Sequence, residues 1–371
     1  MVIRYLKSNY FQYKLYVYSL YMIDILSNIT VEELGRVFYF TTRQCKKLKR
    51  KLKRLDQNNT WLDTFEEISD FVTTVVNNQL KEGTNIIRNV MGPSSRRICG
   101  ANGCVFFDAS YDNTPVVVKI IKNDNITETF FESILNLILS KEGNKDIGFP
   151  KIYRMGLYPV ENTYKIAVIQ EKLESKSLNS LGEVTLREAM VKLCNGLYDL
   201  RNKNGVSFSH RDLHTGNIMY SSEKIYFIDL GYSCVTLPKT CGSIQYETPG
   251  GFKLDPAYSC DNEVHDLCHL LLTLRATKQY EWLIKACHDI CLLYYKTLKQ
   301  VDPDPRITYK GYPRNSWKNF KESDPESYFH PWYMYKLYKV DIKKSIYDIR
   351  SIILGEVSLL EELGGRWGLK F

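Results

Sequence analysis

The spacing of hydrophobic residues changes near residue 96 and divides the chain into a helical first part and a second part that begins with strands. In 60–80 the apolar positions recur every three or four residues, which predicts a helix. In 97–107 and 116–121 they form short runs rich in β-branched and aromatic residues, which predict strands. The Gly, Pro and Ser residues of 91–95 interrupt both patterns and indicate a linker. We therefore predict a helical N-terminal extension over residues 1–92.

The later part of the chain mixes the two kinds of pattern. Helical spacing marks 127–141 and 184–204, whereas 149–153 and 164–171 are predicted to be strands. Residues 278–371 have a helical pattern and are rich in Trp and Tyr.

Candidate chemistry is concentrated in 208–231, where two short apolar strands are each joined to a polar loop. Asp212 can accept the proton of a hydroxyl group. Asn217 and Asp229 can offer oxygen atoms to a hard divalent cation, and Mg²⁺ is usually held by one or two carboxylates together with phosphates. The alternative is a polar hairpin between core strands that carries no chemistry.

Two motifs in this segment resemble the protein-kinase superfamily. His210–Asn217 reads H-R-D-L-H-T-G-N and Asp229–Gly231 reads D-L-G, which are similar to the kinase catalytic loop and metal-binding motif. The resemblance covers about residues 97–300. It implies an α+β bilobal fold with a small β-rich lobe at 93–172, a large helical lobe at 173–300, and the large-lobe remainder with a C-terminal helical extension at 301–371.

The function implied is that of an ATP- and Mg²⁺-dependent serine/threonine protein kinase, of the divergent type that large DNA viruses encode. In such an enzyme Asp212 orients the acceptor hydroxyl and takes its proton, while Asn217 and Asp229 hold Mg²⁺. The implied partner is a protein substrate with a Ser or Thr hydroxyl. Asp266, in a later helix, would brace the catalytic loop.

The resemblance also assigns nucleotide-binding residues to the first lobe. Gly100, Gly103 and Val105 occupy the later positions of the glycine-rich loop. Lys119, inside a β-branched run, would contact the α- and β-phosphates and pair with a helix glutamate. Both Glu128 and Glu132 lie on one helix face and could reach it. Glu132 is preferred because it opens the apolar part of the helix, as the corresponding kinase glutamate does.

The adenine would lie where the two lobes meet. By the same resemblance, backbone groups around Glu171 and Leu173 bind its edge, and Met219 sandwiches the ring together with Val105 and Val117. These are apolar or strand-end positions in any fold, so a purely structural role is the alternative.

Some positions depart from the serine/threonine kinase pattern. His214 stands where a lysine usually follows the catalytic aspartate, and Gly250 stands where a structural glutamate is usual. The H-x-G-N form is also similar to small-molecule kinases of the aminoglycoside or choline type. That activity, and a pseudokinase that only binds partners, are the two alternatives to a protein kinase.

Composition indicates the class of protein and the compartment to expect. Hydrophobic residues make up 44% of the chain and charged residues 25%, as in soluble globular proteins. The ten cysteines show no framework spacing, so free thiols in a reducing, cytoplasmic compartment of a host cell or virion are expected. No transmembrane segment is predicted. Buried thiols in apolar helices are the preferred interpretation of a Cys- and His-rich stretch, and a structural zinc site is the weaker alternative. The stretch contains Cys260, His265, Cys268, His269, Cys287, His288 and Cys291.

The net charge of +8 permits anionic partners. Much of this positive charge lies in the basic stretch 43–54, which is predicted to be an amphipathic helix with leucines on one face. An acidic or nucleic-acid partner, or a lipid surface, is one interpretation. A solvated helix face packed by its leucines is the other.

Overall fold

The computed structural model describes residues 29–55, 61–88, 90, 97–99, 103–121, 126–221, 224–238, 243–247, 263–301 and 346–355. Its α-helices are α1 (Val31–Phe38), α2 (Thr42–Leu55), α3 (Trp61–Glu82), α4 (Ile126–Glu142), α5 (Glu183–Asn204), α6 (Glu263–Arg275), α7 (Glu281–Val301) and α8 (Ile346–Leu354). Its strands are β1 (Arg97–Cys99), β2 (Gly103–Tyr111), β3 (Thr114–Ile121), β4 (Ile147–Gly148), β5 (Ile152–Val160), β6 (Thr163–Glu171), β7 (Lys176–Ser177), β8 (Ser207–Ser209), β9 (Ile218–Ser221), β10 (Lys224–Phe227), β11 (Cys234–Pro238) and β12 (Ser243–Glu247).

The chain forms two compact units. Unit 1 contains Met1–Lys141, Pro150–Lys172 and Thr236–Tyr246, and unit 2 contains the remaining segments. One passage between the units lies between Lys172 and Leu173.

Unit 1 is built on a five-stranded antiparallel sheet with the order β1-β2-β3-β6-β5. Side chains alternate between the faces of a strand, so Val116 and Val118 of β3 point to one face and Lys119 to the other. The valine face is fully buried, in a cluster that also contains Ala167 and Ile169 of β6. The opposite face of β3 therefore carries the charged group.

The N-terminal extension begins its helices with reciprocal side-chain caps. The Thr30 hydroxyl accepts a hydrogen bond from the Glu33 amide at 3.0 Å, and the Glu33 carboxylate accepts one from the Thr30 amide at 2.8 Å. Thr41 and Gln44 repeat this arrangement at the start of α2. Each pair satisfies backbone donors that a helix start leaves unpaired. Helix α1 accordingly begins at Val31.

The extension and the sheet share one core. Ile87 and Val90, which follow α3, are buried in the same cluster as the valines of β3. The Ile87 amide donates to the Leu157 carbonyl at 2.7 Å, and the Leu157 amide donates to the Asn85 carbonyl at 3.0 Å. Residues 85–88 and Val90 therefore cover the sheet, and the linker predicted at 91–95 lies outside the described residues.

Asn85 is the main polar contact in this cover. It is 5% exposed, and its backbone has a φ of 53°, in the left-handed region. Its amide nitrogen donates to the Met155 carbonyl at 3.2 Å and to the Gln79 side chain at 3.1 Å. Its side-chain oxygen accepts from the Arg154 guanidinium at 3.1 Å.

Unit 2 surrounds a second, four-stranded sheet with the order β4-β10-β9-β7, in which β10 and β4 are parallel and the other pairs antiparallel. A smaller sheet has the order β12-β11-β8. Helix α8 returns to α5, where the Arg187 guanidinium donates to the Ile353 carbonyl at 3.0 Å and Arg350 donates to Asn195 at 3.1 Å. The described residues thus form an α+β structure whose sheets are mostly antiparallel.

The expectation of free thiols is wrong at two positions in unit 1. Strand pairing places Cys99 of β1 opposite Cys104 of β2 with their Cα atoms 4.1 Å apart, and the two residues form a disulfide. Cys234 is likewise disulfide-bonded. Cys45, Cys194, Cys268, Cys287 and Cys291 are buried thiols outside any disulfide.

None of the helices among the described residues has both the length and the apolar character needed to cross a membrane.

Replacing Asn85 with Ala should lower the free energy of unfolding by about 2–4 kcal/mol, because buried partners lose their hydrogen bonds and alanine disfavours a positive φ. Asn113 is the matched control, since it has a φ of 62° but is exposed. Asn113→Ala tests the effect of the backbone conformation alone. In urea denaturation it should therefore lower the free energy of unfolding clearly less than Asn85→Ala does. Equal losses in the two variants would contradict the importance of the Asn85 side chain.

Candidate active site

The polar loop of 210–217 lies at the end of β8 and leads directly into β9, in unit 2. The predicted hairpin is present: β9 and β10 pair antiparallel, with Ile218 opposite Phe227. Beneath the loop, the rings of Phe149, Phe208 and Phe227 pack with centroids 5.1–5.4 Å apart. The loop therefore rests on a rigid aromatic base.

A buried carboxylate holds the start of this loop. Asp266 of α6 accepts hydrogen bonds from the His210 amide at 2.6 Å, the Arg211 amide at 2.8 Å and the Ser209 hydroxyl at 3.0 Å. The brace predicted for Asp266 is thus present. Arg211, which has a φ of 62°, is held in the left-handed region by this contact.

Burial gives Asp266 an unusual titration. The carboxyl is 2% exposed, and this loss of solvation raises its pKa to about 7, although the three donors act in the opposite direction. Burial of the Asp266 carboxylate therefore costs free energy, and its three hydrogen bonds offset part of that cost.

His210 connects the loop to the strand that precedes Asp229. Its Nε2 lies 2.9 Å from the Ile228 carbonyl, and the ring is completely buried beside Phe208 and Phe227. Burial lowers the pKa of His210, which favours the neutral ring. A neutral ring with its proton on Nε2 donates to Ile228, and Nδ1 has no partner within the described structure.

Asp212 and Asn217 contact each other directly. The Asn217 amide nitrogen donates to the Asp212 carboxylate at 3.2 Å and to the Asp212 carbonyl at 2.9 Å. This use of the nitrogen leaves the Asn217 side-chain oxygen as the atom available to a cation. Asp212 keeps a partly exposed carboxylate, with 27% of its side chain accessible, so a substrate group can approach it.

Backbone pairing brings Asp229 to the same end of the hairpin as Asn217. The Ile228 amide donates to the Asn217 carbonyl at 3.0 Å, and Asp229 follows immediately with a φ of 57°. Aspartate tolerates this left-handed conformation better than most residues. The two oxygen-bearing side chains therefore flank a single backbone hydrogen bond.

The chemistry of these groups suits a Mg²⁺ ion. The Asn217 side-chain oxygen and the Asp229 carboxylate are hard oxygen ligands, and Mg²⁺ completes such a set with water and phosphate oxygens. Clusters of three or more His, Cys, Asp or Glu suited to a metal are absent from the residues described, and Cys260 of the Cys- and His-rich stretch lies outside them.

His214 and Gly216 form a tight turn beside Asp212. The Gly216 amide donates to His214 Nδ1 at 3.0 Å, which requires a lone pair there and puts the ring proton on Nε2. His214 Nε2 lies 3.9 Å from the Asp212 carboxylate. A Cβ at Gly216 would lie 2.8 Å from the His214 ring, so a larger residue there would require the ring to shift.

In unit 1 the predicted ion pair is present. Lys119 Nζ of β3 lies 3.1 Å from one carboxylate oxygen of Glu132 in α4 and 3.4 Å from the other. The two side chains are only 14% and 16% exposed. A partly buried ammonium with a bidentate partner is held in one position, which suits it to contact an anion.

The strand pairing places further predicted residues around Lys119. Val105 of β2 is directly opposite it, and both Val105 and Val117 are half-buried. A side chain at Gly103 would collide with the Ile120 carbonyl, which explains the glycine there. Gly100 lies outside the described residues. The Cys99–Cys104 disulfide closes the hairpin that these residues form.

Some polar groups of the predicted adenine-binding segment already form hydrogen bonds within the protein. The Glu171 amide donates to the Lys151 carbonyl at 2.8 Å, and the Glu171 carboxylate accepts from the Lys151 amide at 3.1 Å. The Leu173 carbonyl accepts from the Ser175 hydroxyl at 3.3 Å. Met219, in β9, is half-buried. The Glu171 amide is therefore not available to a base.

Several contacts of the loop escaped the sequence interpretation. His269, one helical turn after Asp266, lies with Nδ1 2.9 Å from the Leu213 carbonyl. Asn179 donates to the Thr215 hydroxyl at 3.0 Å. The three-residue spacing of Asp266 and His269 puts them on one helix face and was the available signal. Gly250 lies outside the described residues.

Comparison with known proteins leaves the chain without a family assignment: no protein-family model matches it, and no curated protein matches it.

The stability contributed by Asp266 should fall as the pH rises from about 4 to about 7. The unfolded state releases its proton near 3.8 and the folded state near 7, so between these values the folded state alone binds the proton. The difference in unfolding free energy between the native protein and Asp266→Asn should therefore shrink across this window in denaturant titrations. Asp70→Asn, at an exposed position, controls for the loss of one charge. Parallel curves for the native protein and Asp266→Asn would contradict the shift.

Proposed function

We propose that this chain is an ATP- and Mg²⁺-dependent kinase that transfers the γ-phosphoryl group to a Ser or Thr hydroxyl of a protein, on a kinase-like bilobal fold. The observation that carries the proposal is the braced loop of unit 2, which presents Asp212, Asn217 and the following Asp229 from one hairpin. The Lys119–Glu132 pair supports it, because a strand-borne ammonium fixed by a helix carboxylate suits the α- and β-phosphates.

Each residue has a defined part in this reaction. Asp212 accepts a hydrogen bond from the acceptor hydroxyl and takes its proton as the new P–O bond forms and ADP leaves. Lys119 orients the phosphate chain, and Glu132 positions Lys119. Asn217 and Asp229 would hold Mg²⁺, which supplies charge neutralisation on the phosphates. Positioning and electrostatics provide most of the rate, since phosphoryl transfer needs little covalent help.

The residue at position 214 is relevant to which class of molecule accepts the phosphoryl group. Because its Nδ1 accepts from Gly216, the ring contributes an N–H group near Asp212 instead of the lysine ammonium usual in serine/threonine kinases. The H-x-G-N form also resembles small-molecule kinases, so a metabolite hydroxyl is the second candidate acceptor. Assays with casein and with a panel of aminoglycosides and choline separate the two.

Asp212→Asn should lower the rate of phosphate transfer from labelled ATP at least ~10²-fold, because the amide cannot accept the hydroxyl proton. The assay measures autophosphorylation or casein phosphorylation in the presence of Mg²⁺. Asp199→Asn, which breaks only the surface pair with Lys203, is the matched control and should retain full activity. An unchanged rate in Asp212→Asn would refute the proposed mechanism.

Lys119→Met and Glu132→Gln should each weaken the use of ATP by at least ~10-fold in kcat/KM, and the double variant should lose less than the sum of the two free-energy changes. The reason is that Glu132 acts through Lys119. Lys141→Met removes a lysine paired with a helix glutamate, Glu33, in the same unit and should leave the kinetics unchanged. Strictly additive losses would show that the two residues act independently.

A further inference from the structure

One helix carries a positive charge as large as the net charge of the whole chain. Helix α2 contains eight of the 50 Lys and Arg residues and no Asp or Glu, so the other 42 balance the 42 acidic residues of the chain. The whole net charge of +8 therefore equals the charge of 14 residues. A charge this localised creates a strong local field even though the rest of the protein is neutral on balance.

The apolar face of α2 is used inside the protein. Cys45 and Leu48 are completely buried and Leu52 is 1% exposed. A helix that binds a bilayer must bury its apolar face among the lipid chains. This face of α2 already packs in unit 1, so insertion into a membrane surface is not open to it.

The opposite face is exposed and basic. Arg43, Lys46, Lys47 and Arg50 are exposed and follow the spacing i, i+3, i+4, i+7. At ~100° per residue they occupy an arc of about 100° on the side away from the buried leucines, and they span about 10 Å along the axis. They form a continuous row of cations, which we name the basic face.

The acidic groups of unit 1 that the structure describes do not neutralise the basic face. Lys51, at the edge of the buried side, is neutralised by Glu67 of α3 at 2.7 Å. None of the four residues of the basic face forms an ion pair with a described residue. Arg50 donates to the Lys46 carbonyl, and the Lys47 ammonium lies 5.2 Å from the centre of the Phe71 ring. These contacts orient the two side chains without removing their charge.

The surroundings favour a phosphate backbone over a protein or a single strand. Protein interfaces depend on aromatic or apolar anchors, and single-stranded nucleic acids need aromatic platforms for stacking. Among the described residues, the large exposed hydrophobic side chains all lie outside α2. Tyr39, which lies just before α2, has its ring covered by the Arg154 guanidinium at 4.9 Å. A polar, strongly positive surface is typical of interfaces with double-stranded nucleic acid.

We propose that the basic face of α2 binds the phosphate backbone of a double-stranded nucleic acid, without reading its sequence. Phosphates of one DNA strand recur every 3.4 Å along the axis. A row of about 10 Å therefore matches about three consecutive steps. This activity belongs to unit 1 alone and does not depend on the proposed phosphoryl transfer.

The test measures the binding of the full-length protein to a labelled, mixed-sequence DNA duplex of about two helical turns by fluorescence anisotropy. The variant Arg43→Gln, Lys46→Gln, Lys47→Gln, Arg50→Gln should lower the affinity at low salt at least ~10-fold, because counterion release supplies most non-specific binding energy. The slope of log K against log salt should become less steep by about 3 to 4.

The matched control removes the same charges elsewhere, from two arginines and two lysines that are exposed: Arg88, Arg201, Lys81 and Lys145. This control should bind the duplex within ~2-fold of the native protein. Both variants should keep the ATP-dependent activity of the native protein, so a failure of the kinase proposal and a failure of this one are distinguishable. Thermal unfolding of both variants verifies that each is folded.

Binding measurements with other ligands show which class of polyanion the basic face prefers. An RNA duplex of the same sequence distinguishes RNA from DNA within the proposal. A poly-glutamate peptide and phosphatidylserine vesicles represent an acidic protein and an anionic membrane. Tighter binding to either of these than to both duplexes would overturn the proposal, as would duplex binding that the α2 variant and the control lose equally, or the absence of duplex binding at low salt.

Discussion

The loop that carries the candidate chemistry depends on one buried carboxylate. The two oxygens of Asp266 accept hydrogen bonds from three donors at the junction of β8 and the loop, and these donors offset part of the cost of burying the group. A shorter polar residue could not reach both backbone amides, and an apolar one would leave them unpaired in the core. This constraint places Arg211 in a left-handed conformation and sets the direction in which the chain continues toward Asp212 and Asn217.

Rigid structural elements surround each of the two groups of candidate catalytic residues, which are the loop 210–217 of unit 2 and the Lys119–Glu132 pair of unit 1. In unit 2, an aromatic cluster, His210 and the hairpin of β9 and β10 limit the freedom of the loop from several sides. In unit 1, Lys119 is fixed by Glu132 on a strand whose other face is packed core. Preorganisation of this kind is what electrostatic catalysis requires, since groups that are already oriented do not need to rearrange as charge develops. It is also why the loop tolerates backbone conformations that are otherwise uncommon.

The features that sequence reasoning could find are those encoded locally. A lysine within a β-branched strand, a hairpin with polar ends and the helix containing Asp266 all have short-range signatures. Long-range partners have none. The contact of His269 with Leu213 joins residues 56 apart, and the sequence offered only a weakly favoured zinc site for this histidine. The Cys99–Cys104 disulfide required the strand register, which cysteine spacing alone does not contain.

The shared core of the extension and the sheet has a consequence for how the protein can be divided. A cut in the Gly- and Pro-rich stretch after residue 90 looks natural by composition, but it would strip Ile87 and Val90 from the cluster they share with the valines of β3. It would also leave the Leu157 amide and carbonyl without their partners. A fragment that begins there would expose an apolar face and an unpaired sheet edge, both of which promote aggregation. Residues 85–88 and Val90 are thus part of the packed core of unit 1, and a fragment of that unit that folds by itself has to include them.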